Sequence, residues 1–143
     1  LTYGLTEKQF SMYVKRALES SNPQTTLFNE LETRLDSVVY RMGLALTRRH
    51  ARQLVSHGHF TVNGRRVTIP SYRVSSSDKV AIREGSRGSA LFANVVDRLK
   101  EFRNPSWVTF DTGTLEGSMT KDPVLAEQDA AADMGAVFEY YTR

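Results

Sequence analysis

Thr47-Arg48-Arg49-His50-Ala51-Arg52-Gln53-Leu54-Val55-Ser56-His57-Gly58-His59-Phe60-Thr61-Val62-Asn63-Gly64-Arg65-Arg66-Val67-Thr68-Ile69 is the stretch in which a helical pattern gives way to a strand pattern. Thr47 is placed to cap a helix, Ala51, Leu54 and Val55 recur at spacings of three and four, and Gly58 suits its end. Phe60 and Val62 then alternate with polar neighbours. Asn63-Gly64 follows, a pair that tolerates the positive φ of a two-residue hairpin turn. Val67 and Ile69 should line the inner side of the returning strand. Because residues four apart on a helix share a side, Arg48 and Arg52 fall on one stripe, with Arg49, Gln53 and His57 on the next.

Outward from this stretch the charge pattern becomes one-sided. Between Asp36 and Asp78 there is no carboxylate, yet the interval holds Arg41, Arg48, Arg49, Arg52, Arg65, Arg66 and Arg73, with His50, His57 and His59. The whole chain carries +3, but residues 34–103 carry +9, with −1 before them and −5 after. A segment so biased repels itself unless a polyanion lies against it. Every strong cation in the interval is arginine, whose planar fork suits phosphate oxygens.

The flanks read as further elements of an α+β protein. Thr6 with Gln9 forms a capping-box pattern for a helix over 5–19, and Phe10, Tyr13, Val14, Ala17 and Leu18 make its apolar stripe. Pro23 ends it, and a second continuous helix is expected over 25–43, closed by Gly43. Lys79–Arg83 reads as a strand, 90–102 as a helix with Leu91, Val95, Leu99 and Phe102 on one side, 105–111 as a strand, and 115–119 as its partner. Residues 121–134 should form a loose loop or short helix, and 137–141 an apolar segment that packs on something. Three parts result: a helical part over 1–33, a module of two helices, a small antiparallel sheet and a following helix over 34–103, and a return segment over 104–143 that packs on the first part.

Several chemistries are disfavoured. The apolar runs are far shorter than the ~20 residues that span a bilayer, so no membrane partner is expected. There is no cysteine, which removes disulfides and thiolate metal sites from this chain. His57 and His59 lack a nearby acid and read as capping or phosphate-contacting groups, not metal ligands. Asp78 follows three serines in a turn, where aspartate bonds its own backbone, and Asp36 reads as an ion-pair member near Arg34 and Arg41. Trp107, Tyr140 and Tyr141 sit in apolar settings that favour packing over base stacking. No phosphate loop, nucleophile elbow or paired-acid signature is present, so neither catalytic residue nor cofactor is expected. The chain starts at Leu1, and a trimmed front is expected.

Arg34-Leu35-Asp36-Ser37-Val38-Val39-Tyr40-Arg41-Met42-Gly43, Thr47-Arg48, Ala51-Arg52-Gln53-Leu54-Val55-Ser56-His57-Gly58 and Val62-Asn63-Gly64 closely resemble the S-four family of bacterial small-subunit ribosomal proteins. Tyr3-Gly4-Leu5 with Glu7-Lys8-Gln9-Phe10 is similar to the family's helical first domain, and Pro105-Ser106-Trp107-Val108 and Phe138-Glu139-Tyr140-Tyr141 to its closing segments. The resemblance therefore runs over nearly the whole chain. It implies a structural constituent of the small ribosomal subunit that binds a five-way junction of its ribosomal RNA and acts early in assembly. It also implies neighbouring ribosomal proteins as partners, messenger RNA close by where it enters the subunit, and a place in the ribosome of the cytoplasm or of an organelle.

By position, Arg41, Arg48, Arg52, Gln53, His57 and Asn63 match the family's RNA-facing motif. Arg49-His50 departs from it, since relatives often carry a small residue and an acid there. Arg65, Arg66 and Arg73 join the candidate contacts through their place at and beyond the hairpin tip. Relatives usually have a further basic stretch before Tyr3, sometimes with zinc-binding cysteines, so neither metal nor direct messenger contact carries over. The acidic 122–133 stretch is unusual for such a family. The alternatives are an RNA-targeting module of an RNA-modifying enzyme, or a binder of stalled large subunits.

If the interface is phosphate-directed, about six contacts should cost ~10³ in affinity between 50 and 200 mM salt. Arg48→Ala and Arg52→Ala are each expected to flatten that dependence by about one unit in a filter-binding titration, and unchanged slopes with a folded protein would remove these residues from the interface.

Overall fold

The computed structural model describes residues 3–125, 134, 136 and 138–140. Helix α1 (Glu7–Leu18) starts at the expected capping box, with Thr6 and Gln9 exchanging both hydrogen bonds. Pro23 does more than end it. It occupies the first turn of α2 (Pro23–Glu32), where a missing N–H costs nothing, and Asn22 caps the same turn.

The helix expected to run unbroken over 25–43 is two helices. α2 stops at Glu32, Arg34 is extended (φ −64°, ψ 145°), and α3 (Leu35–Arg41) starts afresh. The periodicity of the apolar residues survives the break, which is why the sequence conceals it. The cause is tertiary: the loop at 70–74 crosses here, and backbone N–H groups that would continue the helix bond to it instead. Leu35 donates to the Tyr72 carbonyl at 2.8 Å and Asp36 to that of Pro70 at 3.1 Å, while Val74 donates to Thr33 at 2.8 Å. Gly43 (φ +82°) closes α3 in the left-handed conformation.

Helix α4 (Arg48–Ser56) follows with Thr47 accepting from the His50 N–H, and buries Ala51, Leu54 and Val55 as expected. Strands β1 (Phe60–Val62) and β2 (Arg65–Arg66) form the hairpin, its turn residues Asn63 (φ 52°) and Gly64 (φ 82°) both left-handed. The return strand is shorter than expected. After Val67 the chain leaves the sheet toward the loop that splits α2 from α3, and Ile69, expected inward, is 59% exposed.

Strand β3 (Lys79–Ile82) pairs with β1, and the hairpin of β4 (Val108–Asp111) and β5 (Glu116–Met119) adds to its other edge. Among the described residues the result is one antiparallel sheet ordered β2-β1-β3-β5-β4. The return segment thus extends the sheet of the preceding module across residue 103. Gly117 makes this possible: a Cβ there would run into the Thr109 carbonyl and the Met42 methyl, so only glycine lets β5 lie this close.

The single helix expected over 90–102 is instead a 3₁₀ turn at Ala90–Phe92 and a short α5 (Val95–Leu99). Ser89 caps the first, and Asn94 (φ −108°, ψ 10°) interrupts before the second. Phe92 is consequently buried, edge-on to Phe60 at 6.0 Å, whereas Leu91 and Phe102 are exposed.

One apolar core joins α1 to α4, the sheet and the chain's end. Trp107 is fully buried edge-on to Phe28, and Met134 and Phe138 belong to the same core. Tyr140 is exposed, while residues 126–133 of the acidic stretch, with Val137 and Tyr141, lie outside the described residues. No described helix is long and apolar enough to cross a membrane.

The break between α2 and α3 is held by a buried fork. Arg34 donates Nε and Nη2 to the two oxygens of Asp36 at 3.0 Å each, and Nη1 to the Tyr13 hydroxyl at 3.1 Å. Asp36→Ala would leave a buried guanidinium without its counter-charge, a loss of about 3 kcal/mol. Urea unfolding should show it, whereas a variant of wild-type stability would demote the fork.

Candidate nucleic-acid interface

The arginines of the acid-free interval divide into an inner and an outer set. The inner set converges on Glu32, the last residue of α2, whose side chain is wholly buried. Arg41, from the end of α3, grips it with Nε at 2.8 Å and Nη2 at 2.9 Å. Arg48, from the first turn of α4, adds Nη2 at 3.2 Å, and the Tyr3 hydroxyl donates at 2.6 Å. The Arg48 guanidinium also lies over two aromatic rings, 4.1 Å from the centroid of Tyr3 and 4.6 Å from that of Tyr40. Two cations around one anion leave a net positive charge held in a fixed place.

Burial pushes the Glu32 carboxyl up, but the hydrogen bonds and charge of Arg41, then the charge of Arg48, outweigh it and hold it below its ordinary value of 4.5. Burial, and then the carboxylate beside it, raise the Tyr3 hydroxyl, which stays a donor.

The outer set stands on the same elements facing away from the core. Arg49, Gln53 and His57 are exposed along α4, and Asn63, Arg65 and Arg66 are exposed at the hairpin. Arg52 is half-buried and donates to the Gly4 carbonyl at 2.7 Å, tying α4 to the start of the chain. Asn63 is fixed by Asp78, which accepts from its amide at 2.9 Å, and by the Lys79 N–H, so the hairpin tip is braced. Asp78 also caps Ser75, as a turn aspartate should.

Arg66 folds back over the end of α4, giving Nε to the Gly58 carbonyl at 3.1 Å, and Arg83 gives its own Nε to the same oxygen at 3.0 Å. Gly58 (φ +79°) has no Cβ to obstruct the Arg66 guanidinium, which any side chain there would strike. His59, beside them, bonds Ser86 Oγ at 2.8 Å. Burial, then the charges of Arg83, His57 and Arg66, lower its pKa from 6.5 and favour the neutral ring.

Arg49, Arg52, Arg65, Arg66 and Arg73 form no ion pair with a carboxylate among the described residues. Arg73 stands apart from the others. It bridges to Arg34 and lines a separate cleft with Tyr13, Arg16 and Glu30. Asp36 pairs with Arg34 as expected, but the carboxylate that meets Arg41 is Glu32. No group of three or more His, Cys, Asp or Glu among the described residues could hold a metal ion.

Glu32, Tyr3 and Tyr40 escaped the sequence reading. A signal was present for the first: Glu32 lies four residues after Phe28 and one after Leu31, on the buried side of α2. A carboxylate on a buried face calls for a cation, and the acid-free interval lies just beyond it. Nothing local marks Tyr3 as the third partner.

The S4 domain family matches residues 33–80, which hold α3, α4, the hairpin, the crossing that follows it and the first two residues of β3. Over nearly the full chain the sequence is similar to proteins named small ribosomal subunit protein uS4. It is 45% identical to that of Levilactobacillus brevis (99% of this chain, 71% of the relative). It is 43% identical to that of Thermotoga petrophila (99% and 68%) and 43% to that of Lactiplantibacillus plantarum (100% and 71%).

Glu32→Gln would weaken the pairing of both inner arginines and cost about 3 kcal/mol at neutral pH. Because the folded pKa lies below the ordinary 4.5, the carboxylate's contribution is complete above that value and lost as pH falls toward the folded one. Unfolding free energies of wild type and variant should therefore run parallel from pH 7 to 5 and converge below about pH 4.5. A gap that stays constant into acid would show that the ionised carboxylate is not its source.

Proposed function

The chain belongs to the small ribosomal subunit protein uS4 family, and from that membership and the arginine-bearing outer face we propose that it grips small-subunit ribosomal RNA through α4 and the β1–β2 hairpin. It is a structural constituent of the small ribosomal subunit and not an enzyme, and its partners are ribosomal RNA and other ribosomal proteins. The observation that carries the RNA reading is the exposed row Arg49, Gln53, His57, Asn63, Arg65 and Arg66, mounted on braced elements, in which none of the three arginines pairs with a carboxylate among the described residues.

Arg41, Arg48 and Arg52 stand behind that row, supplying positive potential and fixing its geometry, and Arg73 offers a further phosphate contact to one side. Arginine forks and amides on a rigid surface fix the register of an RNA backbone. The shape of a folded junction supplies the discrimination, because A-form RNA hides its major-groove edges. Attachment early in assembly fits a face organised by the chain's own buried ion pairs, which need no second protein. A position beside incoming messenger RNA rests on the family resemblance, and the bacterial relatives favour the ribosome of the cytoplasm.

A binder of stalled large subunits would need little beyond the isolated module. Here the flanking Tyr3, Trp107 and Phe138 are built into the same core as the module, which favours the small-subunit reading. An enzyme appendage is disfavoured because the relatives matched over nearly the full chain are named as ribosomal proteins.

Co-sedimentation with separated subunits at moderate salt distinguishes these readings. The chain should travel with small subunits stripped of their own copy, and a joint Arg49→Ala, Arg65→Ala change should weaken binding most at low salt. Preference for large subunits, or no loss of salt dependence in the double variant, would overturn the proposal.

A further inference from the structure

Between the end of α3 and the segment that follows α5 lies an open cleft of about 450 Å3, within the range of small-ligand sites. Tyr40 and Arg41 line it from α3, Arg98 from α5, and Phe102, Arg103 and Asn104 from the segment after α5. No carboxylate among the described residues lines it. Arg41 is already matched by Glu32, but Arg98 spends only Nη2 on the Gly43 carbonyl, at 2.8 Å, and Arg103 is exposed.

Phe102 is the unusual member. It is a large apolar ring left 41% exposed, in a position where burial was expected. It packs against bare Gly43, where a Cβ would come within 2.9 Å of the ring, and this holds the ring in place with part of its surface open to the cleft. An aromatic surface, an amide that both donates and accepts, and two guanidiniums without acid partners match the parts of one nucleotide: base face, base edge and phosphate.

We propose that this cleft takes a single unpaired nucleotide of the bound ribosomal RNA, its base against Phe102, its edge on Asn104 and its phosphate on Arg98 and Arg103. The inference rests on the RNA-binding reading above and adds a second point of attachment beyond α4 and the hairpin. An apolar side chain from a neighbouring protein would fill the same space, but it would desolvate two guanidiniums with no counter-charge, which is costly.

The intact chain bound to a small-subunit ribosomal RNA transcript is irradiated, and crosslinked peptides are mapped by mass spectrometry. A nucleotide should be found on the peptide containing Phe102, in addition to those on α4. Phe102→Leu should remove that crosslink and lower affinity on the order of tenfold, the scale of one lost base–aromatic stack. The exposed Arg103→Gln should lower affinity severalfold without touching the core, and it decides the matter if Phe102→Leu melts early.

Wild-type affinity in Arg103→Gln and no crosslink over residues 98–106, with the α4 crosslinks intact, would overturn the cleft and leave the RNA-binding reading standing. Normal RNA affinity in both variants together with their exclusion from reconstituted subunits would overturn it in favour of a protein partner. No binding of the transcript by wild type would sink both.

Discussion

A buried carboxylate held between two guanidiniums organises this molecule. Glu32 ends α2, Arg41 ends α3 and Arg48 begins α4, so the ion cluster pins three helices at one point, and Tyr3 brings the start of the chain to the same place. Burying an anion is unfavourable unless its lone pairs are filled. Here four hydrogen bonds reach the two oxygens, from two cations and a phenol. The excess positive charge falls partly on the faces of Tyr3 and Tyr40, where the ring quadrupoles offset it. The arrangement tolerates little displacement, since a carboxylate fork and a ring sandwich both demand a fixed guanidinium plane.

That constraint shapes the outer surface. α4 is short, and a helix of such length is marginal in isolation. Arg48 anchors its first turn, Arg52 ties it to Gly4, and Arg66 and Arg83 clasp the carbonyl that follows its last turn. The exposed Arg49, Gln53 and His57 therefore ride on a helix fixed at both ends. An electrostatic surface on a fixed frame loses little conformational entropy when it meets a polyanion, so more of the attraction survives as affinity.

The local elements were largely legible. Capping at Thr6 and Thr47, the Asn63-Gly64 turn and the closing glycines are decided by neighbouring residues, and each stands where the sequence places it. Three of the departures share a cause. The break at Thr33–Arg34, the early end of β2 at Arg66 and the exposure of Ile69 all follow from one crossing loop whose backbone bonds reach across about forty residues. Hydrophobic periodicity carries no information about a carbonyl arriving from that far away.

The bare sequence determined the sign and location of the charge, the helix-then-hairpin order and the family, because composition, spacing and turn chemistry are local properties of the chain. Only the tertiary structure decided which arginines are spent on buried carboxylates and which stand exposed without one among the described residues. The interval between Asp36 and Asp78 holds seven arginines and no carboxylate, but Glu32 stands just outside that window and folds back onto two of them. Coulomb attraction in a dry interior depends on distance in space, and position along the chain does not reveal that distance.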